Sequence, residues 1–163
     1  MIAIRPATRE DVPRILELVR GLAAYEREPD AVVATEEDYL RDGFGEHPAF
    51  RVHVATEDGA VVGFALWFFT WSTWRGRRCL HLEDLFVAPE HRKKGAGLAL
   101  MRALAGEAAS AGCARFVWQV LDWNEPAIAF YEKLGATVLR EWIPVRMEGE
   151  PLARLGSSSR GGA

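Results

Sequence analysis

Residues 82–98 read LEDLFVAPEHRKKGAGL. The apolar residues through Val87 predict a buried strand, Pro89 predicts a turn, and Arg92-Lys93-Lys94-Gly95-Ala96-Gly97 opens onto a segment with helical spacing. A helix start presents unsatisfied N–H groups and the positive end of the helix dipole, and glycine lets an anion such as a phosphate come close to the backbone. Two carboxylates, Glu83 and Asp84, interrupt the apolar strand just upstream. Burying them is costly unless they are paired. One short segment therefore joins a candidate anion site to a candidate cation site. Successive strand residues point to opposite faces, so Glu83 and Asp84 can share a pocket only through a bulge or a contact from a second copy.

Downstream of this segment, Leu98, Met101, Leu104, Ala105 and Ala108 mark one helix face, and Gly112 is a suitable stop. Residues 115–121 predict a strand. Asn124 predicts the cap of a short helix with Pro126 in its first turn and Gly135 at its end. Residues 136–141 and 143–147 are two last strand candidates. Upstream, residues 51–56 and 60–70 predict strands joined by a hairpin turn at Asp58-Gly59, with a third strand at 80–87. The polar loop 71–79 carries Trp74, Arg75, Arg77 and Arg78. The first residues predict a strand through Ile4, a helix behind the Thr8–Asp11 capping box, and a second, shorter helix from the Thr35–Asp38 box to Gly43. This order is mixed α/β, rich in hairpins first and β-α-β-α-β at the end. It reads as one domain over residues 1–150 followed by a flexible tail, 151–163, that ends in GSSSRGGA.

The 163 residues are 49% hydrophobic and 26% charged, enough for one real core and against bulk disorder. A net charge of −3 argues against general nucleic-acid binding. No stretch reaches membrane-spanning length and the start carries no long apolar leader, so a cytoplasmic location without membrane attachment is expected. Cys79 and Cys113 make no disulfide framework, which fits a reducing compartment. His47, His53, His81 and His91 lack metal-ligand spacing, so no metal is expected.

The order of motifs is Arg92-x-x-Gly95-x-Gly97 after a strand, then Asn124-Glu125-Pro126, then Phe130-Tyr131 and Gly135. It resembles the GNAT superfamily of acetyl-CoA-dependent N-acetyltransferases over nearly the whole chain. Tyr25-Glu26, residues 42–48, Phe69-Thr70, Trp74, Leu82-Glu83-Asp84 and Trp123–Pro126 are similar to its diamine (spermidine/spermine) acetyltransferase branch. The resemblance implies a GNAT fold: a mixed, mostly antiparallel central sheet, splayed between strands 4 and 5 and flanked by helices. It implies acetyl-CoA as co-substrate, with its pyrophosphate over the N–H groups from Lys93 through Gly95, Ala96 and Gly97 to Leu98, and with added charge from Arg92, Lys93 and Lys94. Leu85, Phe86 and Val87 would line the pantetheine arm, one amide polarising the thioester carbonyl. Asn124, Glu125, Pro126 and Ala127 would meet the cofactor from the following helix. Tyr131 matches the family tyrosine that protonates the leaving sulfur, although Ile128, Tyr131 and Leu134 also share a packing face. Glu83 would take the proton of the amine, and Tyr25, Glu26, Trp74, Glu83 and Asp84 would hold the amine substrate. Family analogy implies a homodimer.

Two departures bear on the substrate. Lys93 stands where the family motif often has glycine. The segment between Gly135 and Trp142 is shorter than in the diamine enzymes. A related branch acetylates the side-chain amine of thialysine-like amino acids, whose α-carboxylate Arg75, Arg77 or Arg78 could meet. The candidate activities are therefore acetylation of a polyamine or diamine, acetylation of a small amino acid's side-chain amine, and, in a different class, non-catalytic acyl-CoA binding by a regulatory module.

Overall fold

Five strands form one sheet in the order β1-β2-β3-β4-β5: β1 Ile2–Pro6, β2 Arg51–Glu57, β3 Ala60–Ser72, β4 Arg77–Val87 and β5 Arg115–Val117. The computed structural model describes residues 1–157. Its chain divides into two units, Met1–Gln119 and Val120–Ala163, and the whole sheet belongs to the first.

Strands β1 to β4 pair antiparallel, and β5 joins β4 in parallel. The result is the mixed, open α/β sheet expected from the sequence. Asp58 and Gly59 both take left-handed conformations, φ 51° and 86°, the geometry of a two-residue turn whose twist matches its strands. Strands β3 and β4 run further than their apolar patterns suggest. The ladder continues to Ser72↔Arg77, so the polar loop shrinks to residues 73–76. Strand β5 is shorter than expected and meets β4 only at Cys79↔Arg115, Leu80↔Phe116 and His81↔Val117. Beyond His81 no described strand borders β4 on that side, which is the splay the family resemblance implied.

Helices cover both faces. On one, α1 (Val12–Tyr25) and α2 (Glu36–Gly43) lie over the sheet. Val12, Ile15, Leu16 and Leu18 pack with Tyr39, Val52, Val54, Phe64, Leu66 and Phe86, each large side chain worth about 2 kcal/mol when fully buried. Asp11, at the start of α1, accepts two hydrogen bonds from Arg5 of β1, at 2.6 and 2.9 Å, and one from the Thr8 N–H at 2.7 Å. The other face carries α3 (Ala96–Ser110), which buries Ala96, Leu100, Met101, Leu104 and Ala108 and ends at the left-handed Gly112. Leu98 is only half-buried and Ala105 is exposed. The face read from spacing was thus partly wrong, because the helix is apolar nearly all round and periodicity alone does not choose a side.

The second unit holds α4 (Glu125–Lys133) and α5 (Gly149–Ser157). Residues 136–141 and 143–147, expected as strands, are not strands, and Leu139, Trp142, Ile143, Val145 and Met147 are exposed. Strand propensity needs a neighbouring edge to become a strand, and none of the described strands pairs with them. Helix α5 occupies the first part of the stretch expected as a flexible tail. The rest of that tail, 158–163, lies outside the described residues. No helix among the described residues is long and apolar enough to cross a membrane.

Candidate active site

The ladder between β3 and β4 slips once. Trp67 faces Leu82 and Leu66 faces Asp84, leaving Glu83 as the extra residue of a β-bulge. The slip changes which side of the sheet the even-numbered residues of β4 occupy. Leu80 and Leu82 lie opposite Phe69 and Trp67, on the α3 face, whereas Asp84 and Phe86 lie opposite Leu66 and Phe64, on the α1 face. The bulge therefore turns the Asp84 carboxylate toward α1 and α2 while Glu83 stays exposed. Glu83 Oε2 lies 3.5 Å from His81 Nε2, and the His81 ring stacks on Phe68 at 5.0 Å between centroids.

Glu26, at the C-terminus of α1, completes an acidic group. Burial pushes the Asp84 carboxyl up to about 6, and the nearby charges of Glu83 and Glu26 add to the effect. Burial also raises Glu26. Tyr39 of α2 is driven up to about 12, by burial first and by Asp84 second. Tyr39 thus belongs to the surroundings of Asp84, which nothing in the sequence pattern marked. Carboxylates whose charges raise one another in this way gain most from a cation beside them.

Further along β4, Leu85, Phe86 and Val87 pair on one side with Ala65, Phe64 and Gly63. A Cβ on Gly63 would stand 2.8 Å from the Phe86 carbonyl oxygen, so this close approach of β3 to β4 requires glycine. A glycine inside an apolar strand is a readable sign of such an approach. Arg92 donates from Nε to the Val87 carbonyl at 2.9 Å, and its guanidinium lies over the rings of Tyr25 and Phe86, at 5.0 and 5.2 Å. Tyr25 therefore sits against the loop that follows β4, one residue from Glu26 of the acidic group.

Helix α3 starts behind Lys93 and Gly95, both left-handed at φ 63° and 90°. Its cap residue, Gly95, supplies no side-chain acceptor, and the first helical bond runs from Ala99 N–H to the Gly95 carbonyl. The N–H groups before Ala99 have no acceptor within the helix. A Cβ on Gly95 would meet nothing within 4 Å, and one on Gly97 only Leu85 Cδ2 at 4.0 Å, so the space over this helix start is open. Lys94 and His91 instead reach Glu57 at the end of β2.

Trp74 is not brought to the acidic group. It lies in the turn beyond Ser72, 82% exposed, and the ladder from Leu66 to Ser72 alone spans roughly 20 Å at the usual strand rise. In the second unit, the Asn124 side chain accepts from Ala127 N–H at 3.4 Å and caps α4, with Pro126 in the first turn. Tyr131 is half-buried, 5.4 Å from Phe130 between ring centroids. Leu134 is exposed, so the packing face expected of α4 is not closed. Among the described residues no cluster of three or more His, Cys, Asp or Glu forms a metal site.

Residues 14–136 match the acetyltransferase (GNAT) family. The chain is a GNAT acetyltransferase. It is 39% identical to the thialysine N-epsilon-acetyltransferase of Sus scrofa, over 94% of this chain and 96% of that protein. It is 36% identical to the human spermidine/spermine N(1)-acetyltransferase-like protein 1, over 91% of this chain but 23% of that longer protein. A solved structure of an integron cassette protein from the mobile metagenome of V. cholerae superposes with a TM-score of 0.80 at 31% identity, covering 95% of this chain and 97% of that one. GNAT enzymes use acetyl-CoA as acetyl donor.

Proposed function

We propose that this GNAT enzyme transfers the acetyl group of acetyl-CoA to the side-chain amine of a small diamino compound of the thialysine type. The observation that carries the reading is the acidic group Glu26, Glu83 and Asp84, gathered by the β4 bulge beside the strand that leads into the open helix start of α3. The helix start fits a pyrophosphate: its N–H groups are uncapped, and space is open above Gly95 and Gly97. Bound there, acetyl-CoA would supply an acyl thioester. The backbone of Leu85, Phe86 and Val87 would lie along the arm that carries it.

The residues would divide the work as follows. Asp84 and Glu26 hold the second, non-reacting ammonium of the substrate, which a buried carboxylate favours in its charged form. Glu83, exposed on the bulge, takes the proton that the reacting amine must lose, directly or through water. As the family resemblance implies, Tyr131 donates a proton to the leaving sulfur and Asn124 contacts the cofactor. Tyr131→Phe should lower kcat about a hundredfold with acetyl-CoA affinity kept. Wild-type turnover in that variant would remove Tyr131 as the acid.

Similarity to a thialysine enzyme along almost its full length supports the amino-acid reading. The acidic group alone equally suits a polyamine, whose distal amines are also cations. CoA release measured with thialysine, lysine, putrescine, spermidine and spermine separates the two: the reading expects the amino acids to give the highest kcat/KM. Preference for spermidine would replace it with the polyamine reading. Acetyl-CoA binding without turnover on any amine would return the chain to a binding module.

A further inference from the structure

Glu57 closes β2 just before the Asp58-Gly59 turn, and nothing around it in the sequence distinguishes it from a surface charge. Its side chain is nevertheless only 17% exposed. One carboxylate accepts from Lys94 Nζ at 2.8 and 3.1 Å and from His91 Nδ1 at 2.5 Å. Both donors lie in the loop between β4 and α3, on either side of Arg92 and Lys93. That loop holds the left-handed Lys93, a conformation that a residue with a Cβ adopts only when its surroundings impose it. The Arg92 bond to the Val87 carbonyl ties the loop to the end of β4, and Glu57 ties it to the end of β2. An ammonium held by a carboxylate at 2.8 Å is not aimed at a phosphate, so Lys94 has a different task from the one its place in the motif suggests.

We infer that Glu57 is a positioning residue of the acetyl-CoA cradle. By gripping His91 and Lys94 it fixes the loop so that the first N–H groups of α3 face the anion. The inference rests on the proposed reading of that helix start as the pyrophosphate site. Lys94, with Lys93 and Arg92, was expected to add charge to the phosphate; here Lys94 serves the shape of the loop.

The test is CoA affinity, measured by calorimetry on the full chain without amine, for wild type, Glu57→Ala, Lys94→Met and the double variant. Each single change should weaken CoA binding roughly fivefold, as loss of one partly buried ion pair would. The double variant should bind no worse than Glu57→Ala alone, because Lys94 has already lost its partner there. In turnover, Glu57→Ala should raise KM for acetyl-CoA and leave kcat and the amine KM unchanged. With S-acetyl-pantetheine, which lacks the phosphates, it should match wild type, an outcome that general loss of structure would not give. Tighter CoA binding by Glu57→Ala would mean that Lys94 had been freed onto a phosphate, and would overturn the inference. So would additive losses in the double variant. A wild-type chain that fails to bind CoA would overturn the cradle itself, a failure recognisable because it precedes any variant.

Discussion

The two halves of β4 share one backbone and differ in what borders them. From Cys79 to Leu82 the strand lies beside β3, and through His81 beside β5 as well. Cys79, Leu80 and Leu82 are buried there. From Glu83 to Val87 only β3 is a neighbour among the described strands, the ladder has slipped by one residue, and two carboxylates appear. The first half is a core strand with both backbone edges used. The second keeps one edge open and places charge where an apolar side chain would be more stable. The proposed chemistry falls in the half that gives up stability, the pattern expected of a site rather than of packing.

That contrast can be tested from both ends. The largest effect expected is that of Glu83→Gln, which should lower kcat about 10³-fold, within the usual range for a lost general base, and alter the pH–rate profile. A profile identical to wild type would leave the bulge without its proposed chemical role. Leu80→Ala, in the core half, should cost about 3 kcal/mol in urea unfolding and leave kcat near wild type where the protein is still folded. Gly63→Ala should cost about 2 kcal/mol, because its Cβ would press on the Phe86 carbonyl. Unlike Leu80→Ala, it should also raise KM for acetyl-CoA, since the displaced backbone is the one proposed to line the cofactor arm.

The last effect is a gain. The Asp84 carboxyl is raised in the folded protein from 3.8 to about 6, so as pH rises the unfolded chain ionises first. The stability linked to this group is fully present below about pH 4 and lost as pH climbs through about 6. Asp84→Asn should therefore raise stability by about 2 kcal/mol at pH 8 and change it little at pH 3.5, while raising KM for the amine. Equal stability change at both pH values would mean that Asp84 is solvated and belongs to no cation site.

Much of this layout was readable in the sequence because it is local. The Asp58-Gly59 turn, the Thr35–Asp38 cap, the helix behind Gly95 and the Asn124 cap each rest on residues a few positions apart. The bulge was foreseen only as a condition for Glu83 and Asp84 to act together, since apolar residues crowd both faces of β4 and hide the change of side. Tyr39 and Glu57 were missed for a different reason. Their partners, Asp84 and Lys94, lie far along the chain, and each reads locally as an ordinary helix or turn residue. The last strands were overestimated because the β-prone residues of 136–147 speak of propensity and say nothing of a partner.

The bulge at Glu83 also works as a frameshift in a two-letter code of inside and outside. Every β4 residue after it is read one position out of phase with those before it. Deleting Glu83 would remove the bulge itself and leave a regular ladder in which Asp84, now next to Leu82, stays opposite Leu66 on the α1 side. Straightening the strand with Glu83 still present would instead carry Asp84 and Phe86 to the α3 side together, and a substitution at either residue could not undo that. Deletion of Glu83 should therefore spare the packing of Phe86 and remove only what the exposed carboxylate does.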